Sequence, residues 1–210
     1  MSVEQNCKKL DDLKPIYPEK FASEAVIFSH IHRGDRIFIG TGCGEPQYLV
    51  EALINYVTSH PTAFFDAEVF HVWTLGVAPY TDEKFKRNFR HNSFFIGNNT
   101  RDAVNQGFAD YTPIFLSQVP ELFSGRRVPV DVALIQTSPP DAHGYMSLGV
   151  SVDITKAAVE NAALVIAQVN AEMPRVHGDG FIHIEGVDFI GMEKLKGEAE
   201  QFYYIRSHVP

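Results

Sequence analysis

The chain is short of most residue types that mark a specialised class. Only Cys7 and Cys43 supply thiols among 210 residues, and their separation suggests neither a disulfide framework nor a multi-cysteine zinc site. Lys and Arg number 18 against 26 Asp and Glu, a formal net charge of -8. Without a dense basic block there is no surface to neutralise phosphates, so nucleic acid is not an expected partner. The small cluster Lys84, Lys86, Arg87 and Arg90 reads as a solvated helix face. No apolar run approaches the roughly 20 residues that cross a bilayer. Met1 to Lys20 is polar and lacks the apolar centre of a signal peptide, so neither membrane insertion nor secretion is expected, and the expected location is a reducing cytoplasm. The nine histidines form no HExxH and no close His/Cys group, so no metal is expected.

What remains is an ordinary globular composition, 45% apolar and 21% charged. A chain of 210 residues suits one large domain that buries roughly 70% of its unfolded surface. Residues 1–18, with Pro15 and Pro18, read as an N-terminal arm, and 19–210 as the domain. Helix-spaced apolar positions over 19–31 are followed by a strand at 35–39, the turn Gly40 to Gln47, and a helix carrying Leu49, Val50, Leu53, Ile54 and Val57. The alternation continues: strand 67–75, helix 81–89, strand 93–96, a helical turn at 100–106, strand 114–116, helix 118–124, strand 130–135, helix 153–161 and strand 163–169. Residues 181–184 and 187–190 read as two short strands about a glycine turn, with no closing core element after them. Strands separated by helices predict an α/β fold in three layers: a mostly parallel sheet with helices on both faces.

Two loops carry chemistry-bearing residues. Gly40, Gly42 and Gly44 lie between a strand and a helix, where backbone N–H groups can approach an anion. The spacing is not the G-x-G-x-x-G of a dinucleotide site, and no acid lies about 20 residues on. It also resembles the first methyltransferase motif, but Phe38 occupies the position where that family has an acid. A tight turn without ligand is the other reading. Cys43 is a candidate nucleophile or a small space-filler, and Glu45 reads as a helix-start residue stabilised as a carboxylate by the helix dipole. The second loop, Gln136 to Gly149, packs two prolines, two glycines, an acid, an imidazole and three aliphatic hydroxyls after a buried strand. Ser138, Asp141 and His143 are the groups of a hydrolase triad, yet triads are assembled from distant segments and there is no G-x-S-x-G elbow. A third loop offers Gln168, Asn170 and Arg175, so three loops at strand ends converge on one expected crevice.

Taken together, Gly40-Thr-Gly-Cys-Gly-Glu-Pro-Gln47, Ser138-Pro-Pro-Asp-Ala-His-Gly-Tyr-Met-Ser-Leu-Gly149 and Val169-Asn-Ala-Glu-Met-Pro-Arg175 resemble the acetyl-CoA hydrolase/transferase family of class I coenzyme A transferases. The resemblance runs from about Glu24 to Ile190. It implies two similar α/β domains with the active site between them, and a second-domain glutamate that attacks an acyl-CoA and passes through an anhydride to a glutamyl-CoA thioester. Only the first domain is matched, so the nucleophile is expected outside this chain, and neither Glu45 nor Glu185 is assigned that role. By the resemblance this chain supplies one wall of the pocket. The backbone at Gly42 and Gly44 and the side chain of Gln47 face the acyl or carboxylate group, and Ser138, His143, Gly144 and Tyr145 shape the pocket. The implied partners are an acyl-CoA, a small carboxylate, a second CoA-transferase domain in cis or trans, and a further copy in a homo-oligomer. Coenzyme A enters as part of the substrate, and no other cofactor is implied. The alternatives are acyl-CoA hydrolysis and a binding module without turnover. A domain lacking its partner is expected to expose an apolar face and self-associate.

Overall fold

The computed structural model describes residues 13–76 and 78–191. Its centre is a seven-stranded sheet in the order β4-β3-β2-β1-β5-β7-β9, every neighbouring pair parallel. The strands are β1 (Arg36–Ile39), β2 (Ala67–His71), β3 (Phe89–Ser93), β4 (Ala109–Tyr111), β5 (Val130–Thr137), β7 (Ala162–Val169) and β9 (Phe189–Gly191). A separate antiparallel pair, β6 (Tyr145–Ser147) and β8 (Phe181–His183), sits on the chain between them. The helices are α1 (Glu24–Phe28), α2 (Gln47–Ser59), α3 (Asn98–Asn105), α4 (Val119–Ser124) and α5 (Thr155–Asn161).

Alternation along the central strands creates the three layers. On β1, Ile37 and Ile39 point to one face and Phe38 to the other, because successive side chains of a strand diverge. Ile37 and Ile39 pack with Val69, Val132, Leu134 and Ile166 under Leu49, Val50, Leu53 and Val57 of α2. Phe38 packs on the opposite face with Phe70, Ala133, Ile135 and Val165 against Val119 and Phe123 of α4 and Ala158 of α5. Central strands apolar on both faces are what a parallel sheet covered on both sides requires. The expected α/β architecture is therefore the one found.

Local differences have identifiable causes. The expected helix 81–89 is two 3-10 turns, Pro79–Thr81 and Glu83–Phe85, separated by Asp82 in extended backbone. β3 starts at Phe89 rather than 93, because its polar residues find partners on neighbouring strands: Arg90 pairs with Asp110, and Asn92 donates to Glu68 Oε1 at 2.9 Å. β4 lies at 109–111, ahead of the expected 114–116. The first helix shrinks to α1, where the Ser23 hydroxyl accepts from Val26 N–H. The two C-terminal strands do not form a hairpin: β8 pairs with β6, whereas β9 closes the main sheet beside β7. Asp188 fixes that edge, its N–H donating to Val165 O and its Oδ2 accepting from Val165 N–H at 2.7 Å. Of the expected arm 1–18, residues 1–12 lie outside the described residues, as does the charged tail from 192; Leu13 is fully buried.

The strand order reverses at β1. From it the chain steps outward through β2, β3 and β4, then returns to β5 on the other side and continues to β7 and β9. At such a switch point the loops leaving the two adjacent strands diverge and open a crevice at their C-terminal ends. Leu134, fully buried on β5 and opposite Ile39, sits under that point. Leu134→Ala is expected to lower unfolding stability by about 2–5 kcal/mol, read from the midpoint of a urea titration.

Candidate functional site

The turn leaving β1 is shaped by glycine. Gly42 has φ +55°, a left-handed conformation costly for residues with a Cβ. At Gly40 a Cβ would lie 2.7 Å from the carbonyl oxygen of Gly44, so the turn closes on itself only without a side chain there. The donors of the turn are engaged within the chain. Gly42 N–H donates to Trp73 O at 3.0 Å, Gly44 N–H to Thr41 O at 2.9 Å, and Cys43 N–H to Ser151 Oγ at 3.1 Å. The hydroxyl of Thr41 donates to Asp153, so residues 151–153 roof the turn. Burial pushes the Cys43 thiol up from its ordinary value, which disfavours the thiolate a nucleophile needs.

Glu45 is where the structure corrects the sequence most. Expected as a dipole-stabilised carboxylate, it is 3% exposed. Burial pushes its carboxyl above the usual carboxylate range and outweighs the hydrogen bonds from Thr74 and from the 75–76 backbone, which pull the other way. Its Oε2 accepts from the Thr74 hydroxyl and from Gly76 N–H at 3.0 Å, while Oε1 is buried without a partner. Behind it, Tyr80 bonds His71 Nε2 at 2.8 Å, and His71 stacks on His91 with ring centres 4.5 Å apart. His91 Nδ1 donates to Val69 O, leaving Nε2 to accept from the Ser93 hydroxyl. Burial holds both imidazoles neutral, His91 pushed down to about 4 and His71 well below its ordinary value.

An amide ladder ties the strand ends to the turn. Gln136, last but one on β5, donates from Nε2 to the carbonyls of Glu45 (3.2 Å) and Cys43 (3.4 Å). Its Oε1 accepts from Asn170 Nδ2 at 3.0 Å and Gln168 Nε2 at 3.4 Å, and Gln168 Oε1 accepts from Leu49 N–H. The two glutamines are register partners on β5 and β7, which places their side chains on one face. Gln47, half-buried at the start of α2, keeps its carboxamide without a hydrogen bond among the described residues, next to Gly76.

The second loop is organised by Arg175. Its Nη1 reaches Ser138 Oγ (3.1 Å), Pro139 O (3.1 Å) and Tyr145 O (3.0 Å), and its Nη2 reaches Asp141 Oδ2 at 2.9 Å. Burial pushes the Asp141 carboxyl up, but the N–H groups of Tyr145 and His143 and the Arg175 charge bring it below the ordinary value. The fully buried Ser138 hydroxyl serves Pro139 O, Ser147 N–H and Arg175, and makes no bond to His143, so no triad is assembled. Gly144 has φ +82°, and a Cβ there would meet His183 Nε2 at 2.6 Å. His143 and Tyr145 are exposed, the Tyr145 ring standing edge-on to His183. The structure thus gathers Gly42, Gly44 and Gln47 about Glu45, and Ser138, Gly144 and Tyr145 about Arg175.

The segment His71 to Gly76 was missed in the sequence, where it reads as the continuation of a strand. Its cue is Thr74-Leu-Gly76 following an apolar run, a turn signal. A groove of about 630 Å³ lies between α1, the first turn of α2 and β9, lined by Glu24, Phe28, Tyr48, Leu49 and Ile190; neither Glu45 nor Gln47 lines it. Among the described residues no group of three His, Cys, Asp or Glu is placed to hold a metal, and no helix is long and apolar enough to cross a membrane.

A parallel sheet whose switch point carries a glycine turn and a Pro-Pro-Asp loop, cross-braced by amides, defines a CoA-transferase-like α/β domain. The Acetyl-CoA hydrolase/transferase N-terminal domain family matches residues 4–197, and the chain belongs to this family. It is similar to the 4-hydroxybutyrate coenzyme A transferase of Clostridium kluyveri, 48% identical over 175 residues, covering 83% of this chain and 40% of that protein. It is also similar to the succinyl-CoA:acetate/propanoyl-CoA:succinate CoA transferase of Fasciola hepatica, 41% identical over 171 residues, covering 81% of this chain and 35% of that one. Among solved structures, RipA from Yersinia pestis superposes with a TM-score of 0.76 at 28% identity, over 87% of this chain and 44% of that one. The chain thus spans less than half the length of the relatives it matches.

Glu45 and the histidine pair give stability two opposed pH limbs. A carboxyl raised by burial stabilises the fold fully below its ordinary 4.5, and that contribution is lost as pH rises through the folded value. The buried imidazoles work the other way, stability falling as pH drops from 6.5 towards about 4. In calorimetric Tm measurements across this range, Glu45→Gln is expected to flatten the alkaline limb and leave the acid limb unchanged. An alkaline limb identical to that of the wild type would contradict the buried carboxyl.

Proposed function

We propose that the chain is the N-terminal domain of an acyl-CoA:carboxylate CoA-transferase and supplies one wall of an active site completed by a second domain. The observation that carries this reading is the mouth of the sheet. Large hydrophobic side chains stand exposed on segments leaving the C-terminal ends of successive strands: Trp73 after β2, Phe95 after β3, Phe115 and Leu116 after β4, and Tyr145 and Val150 after β5. Exposed apolar side chains at this end, beside polar loops, are what an interdomain site looks like with one half removed. The greater length of the relatives supports a second half in that position.

In this reading a carboxylate of the second domain attacks the thioester carbonyl, forming an acyl anhydride and releasing the CoA thiolate. The thiolate attacks the anhydride at the enzyme's own acyl carbon, giving an enzyme–CoA thioester and freeing the acid; an acceptor carboxylate then takes CoA by the reverse steps. This chain contributes geometry and donors. The Gln47 carboxamide, at the positive end of α2, is placed to donate to an acyl or carboxylate oxygen. Gly42 and Gly44 act through their missing side chains, each admitting Ser151 to 3.2 Å of the position a Cβ would take. His143 and Tyr145 border the pocket on the second loop. With water as acceptor the same wall serves hydrolysis; the names of the Clostridium kluyveri and Fasciola hepatica relatives, both CoA transferases, favour a carboxylate.

The test is an intact-mass spectrum after incubation with acetyl-CoA. The chain alone is expected to show no CoA-mass adduct and to self-associate through its rim. Transfer from acetyl-CoA to 4-hydroxybutyrate is expected only once the second domain is supplied. An adduct on the chain alone, removed by excess acetate, would place the nucleophile within these residues and overturn the reading.

A further inference from the structure

The segment Trp73 to Gly76 is fastened to the glycine turn at two points. One is the hydrogen bond from Gly42 N–H to Trp73 O, between backbone groups. The other is the Glu45 carboxyl, whose Oε2 accepts from both Thr74 and Gly76. Gly76 N–H also donates to Thr74 Oγ1 at 3.1 Å, and its carbonyl accepts from the Asn99 carboxamide. A Cβ on Gly76 would lie 3.0 Å from both Glu45 Oε1 and Gln47 Nε2, so carboxyl and carboxamide press on the same backbone. Beyond this anchorage the indole of Trp73 stands beside Gly97 and Phe95. A Cβ at Gly97 would stand 2.8 Å from it, Phe95 meets it edge-on at 6.5 Å, and it is 40% exposed.

We propose that Glu45 is a positioning residue: a buried clamp that holds segment 73–76 against the glycine turn and thereby sets where the Trp73 indole stands in the crevice. The inference rests on the reading above, in which Trp73 belongs to the wall that meets substrate. It adds what fixes that wall. Oε2 accepts from Thr74 and Gly76, and the Leu75 backbone also reaches the carboxyl, but burial outweighs these bonds and favours the protonated acid. An ionised Glu45 would hold a charge away from water. Deprotonation therefore loosens segment 73–76 and frees the indole.

The titratable groups that face Glu45 are Tyr80 and, behind it, His71 and His91, with Cys43 two residues before it in the turn. Tyr80 is raised well above 10.0 and Cys43 above 9.0; both histidines are lowered, His91 to about 4. In the range above 4.5, the ordinary value from which burial raises it, Glu45 is the member of this group expected to lose its proton first as pH rises.

Trp73 is the single tryptophan of the chain, so its fluorescence reports this segment alone. Emission maximum and acrylamide quenching are measured across that pH range for wild type, Glu45→Gln and Glu45→Ala. Wild type is expected to shift to the red and become more quenchable as pH rises. Glu45→Gln, which mimics the protonated acid, is expected to lose the pH dependence and keep the low-pH emission. Glu45→Ala is expected to be red-shifted throughout, with unchanged far-ultraviolet circular dichroism. A wild-type transition that persists in Glu45→Gln overturns the clamp, as does a wild type whose emission is flat. If Glu45→Ala does not fold, the comparison with Gln still decides. Titrating acetyl-CoA against the same signal separates the two ideas: no change in Trp73 emission counts against the functional reading and leaves the clamp standing.

Discussion

A carboxyl group without access to water lies beneath the turn that ends β1, and the mouth of the sheet is arranged around it. Glu45 enters the interior because the turn before it coils back through Gly42 and Gly44, and because α2 starts immediately after it at Gln47. Once buried, the carboxyl must be met by donors. Those come from Thr74 and Gly76, on the loop from β2. A single buried acid thereby couples the loops that leave two adjacent strands, β1 and β2. The neutral His71–His91 stack and Tyr80 fill the space behind it with polar groups that carry no charge.

The other side of the crevice is braced by a permanent charge. Arg175 fans across the loop after β5 and binds three oxygens and the Asp141 carboxylate, which holds a proline-rich strand exit in one shape. Between the two, Gln136 and Gln168 join the ends of β5 and β7 to the carbonyls of the glycine turn. Many polar groups at this end satisfy one another, and the Gln47 carboxamide stands apart.

Much of the architecture was legible from local pattern. Apolar runs at β5 and β7, and helical spacing from Leu49 to Val57, needed no knowledge of their neighbours, because burial on two faces and on one stripe leave different periods. The elements misplaced were those whose identity depends on a partner. β3 carries Arg90, His91 and Asn92, a poor strand by composition, and is a strand because Glu68 and Asp110 flank it. β9 is three residues long and looks like half a hairpin until Val165 and Asp188 exchange hydrogen bonds. In the site, the glycine turn and the Pro-Pro-Asp loop were visible as motifs, but the partners of their donors were not. Glu45 read as a helix-start carboxylate, since the dipole is a local property and burial is not.

By itself, then, the sequence determined the alternation of strands and helices, the position of the two loops, and the motifs of the acetyl-CoA hydrolase/transferase family. Each of these is encoded in residues near one another in the chain. The tertiary structure decided which faces meet, that the strand order turns at β1, that Arg175 serves the 138–145 loop, and that Glu45 is protonation-prone beneath Trp73 to Gly76. The last two depend on groups brought together across 29 to 37 positions of sequence, where solvent exclusion, not local propensity, sets the energy.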